Sequence, residues 1–315
     1  MQTDSTKWKK VDWKRLRYYG KYTACGTFAV LCTMKTKISP EIFELTTGVP
    51  FGIRCVNMKS QRLLTTFRDP NIGLDTAMLD WGIPYEKVES SSKRKIFEKL
   101  CWDMEQEERG IIIGPLNMGK LFYIPLCTVY EGVDHYIMVR KTGKEEVVLT
   151  DSEGYVAVPV TLKQLYKMWD IQGVYEAKGR YRYRIISEPE KKLLDEQIAV
   201  CVTKRMFDNI RDAEECGQGS KAFMEAYRIM QENNISRWRL CILHEVVHLR
   251  QRKHLTVTFI NDYLEQTDNI IEVLAEQIFI LSKIQRELEE EMMPEIEHFQ
   301  NLGNLEKLLM NADRK

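Results

Sequence analysis

The chain has little of what would place it quickly. Its eight cysteines (25, 32, 55, 101, 127, 201, 216 and 241) form no C-x-x-C unit and no regular spacing. In 315 residues that pattern argues against a disulfide framework and for free thiols in a reducing cytosol. No apolar run approaches the roughly 20 residues of a membrane helix, and the N-terminus lacks the apolar core of a signal peptide. Charge of one sign is also missing: 46 basic residues balance 46 acidic ones, so no global field gathers nucleic acid or anionic lipid. Histidine is scarce, with five in all, and there is no internal repeat or low-complexity segment. What charge asymmetry exists is local. Residues 7–21 are rich in Lys and Arg and contain Trp8, Trp13, Tyr18 and Tyr19, while "ELEEEMMPEIE" is acidic. Without a nucleic-acid motif, both read as solvated or partner-facing surface.

The length favours two domains. "ISPEIFELTTG" predicts a short helix with Ser39 as N-cap, Pro40 in the first turn and Gly48 as the stop. "GLDTAMLDWGI" and "SSKRKIFEKLCWDMEQEERG" predict two more helices. The texture then changes. "GIIIGPL" is a buried-strand run, "VDHYIMVRKTGKEEVVLTDSEGYVAVPV" alternates as antiparallel strands, "TLKQLYKMW" is a brief helix and "RYRYRIISEP" a last strand. After Pro189 the pattern is helical, with loops near "CGQGS" and "QENNIS". The expectation is an α+β domain over 1–188, helices followed by an antiparallel sheet, and an all-α domain over 189–315.

Cys25 opens the first helix-like run, "CGTFAV". A cysteine becomes a nucleophile as thiolate, usually beside a histidine and at a helix N-terminus. Four histidines (244, 248, 254 and 298) lie in the helical region, which leaves His135 as the partner in the α+β domain. "DHYIMVRKTGKEEVVLTD" predicts a hairpin turning at Thr142-Gly143-Lys144, pairing Val139 with Val147, Ile137 with Leu149, and His135 with Asp151. Opposed Cβ atoms roughly 4.5–5.5 Å apart let a carboxylate orient an imidazole. The competing reading is a hairpin-end hydrogen bond without chemistry. The remaining cysteines read as core residues, Cys32 two helical turns beyond Cys25.

With these motifs in order, residues 15–185 resemble the N-terminal domain of the butirosin biosynthesis protein H family. The matching pieces are "CGTFAV", "ISPEIFELTTG" with "VPFGI", "GPLNMGKL", "DHYIMV" and "DSEGYVAVPVTLKQLYKMW". Papain-like peptidase domains that trim bacteriocin leaders share the Cys-Gly, Asp-His-Tyr and Asp-x-x-Gly pieces. The resemblance implies a papain-like fold with Cys25 as nucleophile, His135 as base and Asp151 as orienter. Papain-like peptidases usually carry a glutamine just before the cysteine, whose amide binds the oxyanion; "RYYGKYTAC" has none. The backbone at Cys25 and Gly26, the hydroxyl of Tyr19 or Tyr22, Asn117, and backbone amides freed by Gly114 and Gly119 are the candidate donors and cleft lining. Losing one donor costs about a hundredfold or more, which favours an activated thioester over a peptide.

A second signal competes. "LCILHEVVHLRQRKH" contains His244-Glu245-x-x-His248, the spacing that sets two imidazoles on one helix face for zinc with Glu245 as base, and Glu272 stands where a third ligand often lies. The pattern is short, and the basic run after it adds positive charge beside a cation.

The leading expectation is therefore a cytoplasmic acyltransferase of specialised-metabolite assembly. Cys25 accepts an acyl or aminoacyl group from a carrier-protein phosphopantetheine thioester and passes it to a small-molecule amine. The helical domain is expected to shape the acceptor pocket and dock the carrier. No resident cofactor or metal is needed, and neither nucleic acid nor membrane is a partner; a homo-oligomer is compatible with the sequence. The alternatives are a cysteine peptidase or amidase with the same three residues, a zinc metallopeptidase on His244, Glu245 and His248, and a catalytically inactive binding module.

Overall fold

The computed structural model describes residues 25–34, 38–56, 63–106, 110–189, 193–233, 235–264 and 268–312. The basic stretch 7–21 lies outside them, as do Tyr19 and Tyr22. The fold is α+β and divides into two compact units: 1–40 with 78–192, and 41–77 with 193–315. This corrects the sequential division at 188/189, because the segment 41–77 packs with the helices. No helix among the described residues is long and apolar enough to cross a membrane.

The first unit opens with α1 (Cys25–Thr33), in which every residue after Cys25 is buried. A helix with no polar face needs enclosure on all sides, and this one has none. Six strands form one antiparallel sheet: β3 (Tyr85–Ser90), β4 (Ile111–Asn117), β5 (Asp134–Lys141), β6 (Glu146–Thr150), β7 (Val158–Thr161) and β8 (Tyr181–Ile186), in the order β3-β8-β4-β5-β6-β7. The apolar run of β4 is buried throughout and sits inside the sheet between β8 and β5. Phe28 and Cys32 of α1 meet Met138 of β5 in an apolar cluster. Helix α4 (Lys93–Gln106) buries Ile96, Leu100, Asp103 and Met104, a stripe at helical spacing, and the Tyr183 hydroxyl of β8 donates to Asp103. Thr161 and Gln164 form a capping box at the start of α5 (Leu162–Met168). The fully buried Trp169 follows and packs edge-on against Tyr181 and Tyr183.

The β5–β6 register differs from the predicted one by two residues: Val139 pairs with Leu149 and Lys141 with Val147. The turn is wider than a loop centred on Gly143, with the amides of Thr142 and Gly143 both reaching the Glu146 carbonyl. A slip of two, unlike a slip of one, leaves every side chain on its own face. His135 and Asp151 therefore stay on one face, but as diagonal rather than opposed neighbours.

The second unit contains α2 (Pro40–Thr46), an antiparallel pair β1 (Ile53–Cys55) and β2 (Leu64–Thr66), and most of α3 (Pro70–Asp80). It continues with α6 (Asp195–Glu215), α7 (Ser220–Glu232), α8 (Ile235–Tyr263), α9 (Asp268–Glu289) and α10 (Ile296–Ala312). Ile53, Leu63 and Leu64 share one apolar core with Phe223, Tyr227, Leu249, Ile284 and Phe299, which is why 41–77 belongs here. Polar bonds add to it. The Asn209 side chain of α6 donates to the Gly48 carbonyl at 2.6 Å, and the Gly219 amide donates to the Ile53 carbonyl at 2.9 Å. Gly48 has φ +72, and a Cβ there would lie 2.7 Å from Asn209 Nδ2, so both backbone and space demand glycine.

Helix α10 touches α7 closely at Gly303, where an added Cβ would stand 2.8 Å from the Ser220 carbonyl oxygen. Gly303→Ala is expected to lower stability by about 1–3 kcal/mol through overpacking, despite alanine's better helix propensity. Chemical denaturation followed by far-UV circular dichroism measures it; a stabilised variant would show that the helices separate freely at that point.

Candidate active site

Three side chains of the first unit converge. Cys25 is the first residue of α1 and half-buried; His135 near the start of β5 is 2 % exposed; Asp151, just past the end of β6, is fully buried. His135 Nε2 lies 3.0 and 2.9 Å from the two carboxylate oxygens of Asp151. The Cys25 thiol lies within hydrogen-bonding reach of the His135 ring. The three residues expected from the sequence are thus in contact, in the order thiol, imidazole, carboxylate.

Asp151 is held from further directions. Its Oδ1 accepts from the Glu153 amide at 2.9 Å, its Oδ2 accepts from the Tyr123 hydroxyl at 2.5 Å, and its own amide donates to the Tyr155 carbonyl at 3.0 Å. Tyr123 in turn packs edge-on against Tyr155 and Phe122, with centroids 5.4 and 6.2 Å away. Sequence reasoning missed Tyr123. Its only trace is an aromatic pair in the loop after "GPLNMGK", and no local pattern connects that loop to a carboxylate 28 residues later.

The electrostatics follow from this packing. Burial opposes charge on Asp151, yet the imidazole and the donated hydrogen bonds overcome it and hold the carboxyl below its usual range. Burial also opposes charge on His135, but Asp151 and the Cys25 sulfur raise its proton affinity well above the ordinary histidine value. For Cys25, burial is the largest influence and pushes the thiol up, against the downward pull of His135. Burial thus works against a free thiolate, while Asp151 raises the affinity of the neighbouring imidazole for the thiol's proton. Burial and the neighbouring carboxylate keep the Tyr123 hydroxyl protonated, so it remains a donor to Asp151.

The other sequence candidates fall elsewhere. Asn117 is completely buried: its amide donates to Glu131 Oε1 and the Gln172 carbonyl, both at 2.8 Å, and its oxygen accepts from the Gly119 and Gly132 amides. With those bonds made, Asn117 is a strut between loops, not an oxyanion donor, and the Gly119 amide is engaged as well. Gly114 serves packing, since a Cβ there would meet the Tyr136 ring at 2.4 Å and the His135 carbonyl at 2.8 Å. Its lack of a side chain lets the chain beside His135 close up. Gly26 is buried in the first turn of α1, next to the backbone amide of Cys25.

The zinc alternative does not assemble. His244 and His248 lie one turn apart on α8 with ring centroids 4.2 Å apart. Glu245, however, is buried and accepts from the Leu63 and Leu64 amides at 3.1 and 2.9 Å, tying the start of β2 to the helices. Among the described residues, His244, His248 and Glu272 do not bring three donor atoms within 4.8 Å of one another. The helix-face spacing is real, but the base candidate is a structural anchor.

Among known proteins, the chain is 30 % identical over 172 residues to the uncharacterized protein YobF of Bacillus subtilis (strain 168). The match takes in 53 % of this chain and 55 % of YobF, so the chain spans about half the length of the curated relative it matches. No family model matches the chain.

The His135–Asp151 pair makes a pH-dependent contribution to stability whose sign can be worked out. A histidine raised above 6.5 on folding stabilises the fold fully below that value, and the gain is lost as pH rises through the folded pKa. A carboxyl lowered below 3.8 stabilises above that value, and the gain is lost as pH falls through the folded pKa. The Tm difference between wild type and Asp151→Asn is therefore expected to peak between about pH 4 and 6.5 and to shrink in more alkaline buffer. A difference that grew steadily from pH 6.5 to about pH 10 in thermal scans would contradict the pairing.

Proposed function

We propose that the protein is a cysteine acyltransferase that moves an acyl or aminoacyl group from a carrier-protein thioester, through a Cys25 acyl-enzyme, to an amine. The observation that carries this reading is the hydrogen-bonded line Cys25–His135–Asp151, with the carboxylate buried and held ionised.

The steps follow from that line. As the thioester carbonyl reaches sulfur, the proton shared between Cys25 and His135 lies on the imidazole, whose positive charge Asp151 stabilises. The thiolate attacks, the carbon–sulfur bond to the carrier breaks, and the departing thiolate takes the proton from His135. An amine then attacks the Cys25 thioester. His135 accepts the amine proton and returns it to the sulfur as the amide leaves. Atoms and charge balance without a metal or redox partner, and the phosphopantetheine arm belongs to the donor.

Two features favour transfer over peptide hydrolysis. Burial works against a free thiolate, which suits a thioester donor whose carbonyl is already activated. The candidate side-chain and loop donors for an oxyanion, Asn117 and Gly119, are engaged in structure, which leaves the amides at the start of α1. Weak oxyanion support disfavours an unactivated amide more than a thioester. The resemblance of "CGTFAV", "DHYIMV" and "DSEGYVAVPVTLKQLYKMW" to the butirosin biosynthesis protein H family points the same way, to a papain-like unit acting on carrier-bound acyl groups.

Incubation with an acyl-pantetheine thioester should add one acyl mass to the intact protein, stable in buffer and discharged by an added amine. Cys25→Ala should give no adduct, and Asp151→Asn should slow its formation by as much as about 10⁴-fold. Intact-protein mass spectrometry reads both. Rapid loss of the adduct in buffer alone, or turnover of peptides without a thioester, would assign the site to a hydrolase.

A further inference from the structure

We propose that Glu287, Glu295 and His298 form a binding site for a divalent transition-metal ion of the zinc class. The three come from the last turns of α9, the connection after it and the first turn of α10. Each offers a ligand atom, and the three atoms lie within 4.8 Å of one another. His298 Nε2 is 3.0 Å from Glu287 Oε1 and 4.0 Å from Glu295 Oε2. Ligands held 2.0–2.1 Å from a tetrahedral zinc stand about 3.3 Å apart, a spacing these two contacts bracket.

The hydrogen-bond inventory of this cluster is one-sided. A single imidazole N–H serves Glu287 Oε1, and at 4.0 Å it is too far to serve Glu295 as well. Glu287 Oε2 is buried and has no hydrogen-bond partner among the described residues. A buried carboxylate oxygen left without a donor is costly, and native structures rarely leave one so. Arg239, the arginine that reaches this connection, pairs with Glu291 at 2.8 Å. A cation between the three side chains would neutralise the excess negative charge and occupy the oxygen that the imidazole cannot.

Ligand chemistry selects the ion. One imidazole with two carboxylates is a mixed nitrogen–oxygen set suited to zinc and its neighbours, whereas magnesium and calcium prefer oxygen alone. Water would complete the coordination. Glu295 and His298 are three apart, so they fall on one side of the α10 start, and Glu287 approaches from α9. An ion here clips the two helices together across the turn at Met292–Glu295. The site is separate from the Cys25 chemistry and independent of its assignment.

The test uses the full chain, stripped with a chelator and exchanged into metal-free buffer, then titrated calorimetrically with Zn²⁺ alone. The proposal expects one equivalent to bind, a rise in Tm with zinc, and no comparable rise with Mg²⁺. Glu295→Gln and His298→Ala should each weaken this event at least about tenfold. The Glu295 side chain is 69 % exposed, so Glu295→Gln keeps the fold even where His298→Ala does not. Zinc binding of equal strength in wild type and Glu295→Gln would assign the ion to thiols or to His244 and His248 and overturn the proposal. Absence of any binding at micromolar zinc would overturn it too.

Discussion

The contact between the His135 imidazole and the Asp151 carboxylate is the constraint around which the first unit is arranged. Two ionisable groups so deeply buried are tolerated only when paired and surrounded by donors. The fold supplies the pairing by carrying His135 on β5 and Asp151 just beyond β6, and it supplies the donors from the Tyr123 loop and the Glu153 amide. The inner position of β4 and β5 in the sheet and the packing of Tyr123 on Tyr155 enclose and orient that pair.

Burial has a second consequence. It works on Cys25 in the opposite sense to His135, pushing the thiol up while Asp151 raises the proton affinity of the imidazole. The loop that follows β4 plays a supporting part. Asn117 ties together three stretches of backbone and a glutamate, and Gly114 lets Tyr136 lie against the chain beside His135. These residues shape the site without touching its chemistry.

The second unit obeys a similar rule with different side chains. Glu245 is buried because the Leu63 and Leu64 amides need an acceptor where β2 begins, and Asn209 is buried because the Gly48 carbonyl needs a donor. Both join residues far apart in sequence, and both show why a chain segment preceding the sheet folds with helices that follow it. A motif that looks like a zinc-binding pair on the helix surface is, in part, the anchor of a distant strand.

Much of this was legible along the chain. Alternation and glycine punctuation marked β4 to β8, Ser39, Pro40 and Gly48 framed α2, and histidine scarcity singled out His135 as the partner of Cys25. The face shared by His135 and Asp151 was readable because side chains alternate with period two, so even a register error of two residues preserves it. What could not be read were relations between segments distant in sequence: Tyr123 on Asp151, the engagement of Asn117 and Glu245, and the joining of 41–77 to the helices. The sequence by itself determined the local elements and which residues share a face, because those depend on backbone geometry over a few residues. Only the tertiary structure decided which polar groups were already satisfied and which way the Cys25 thiol is shifted, because burial and distant partners set both.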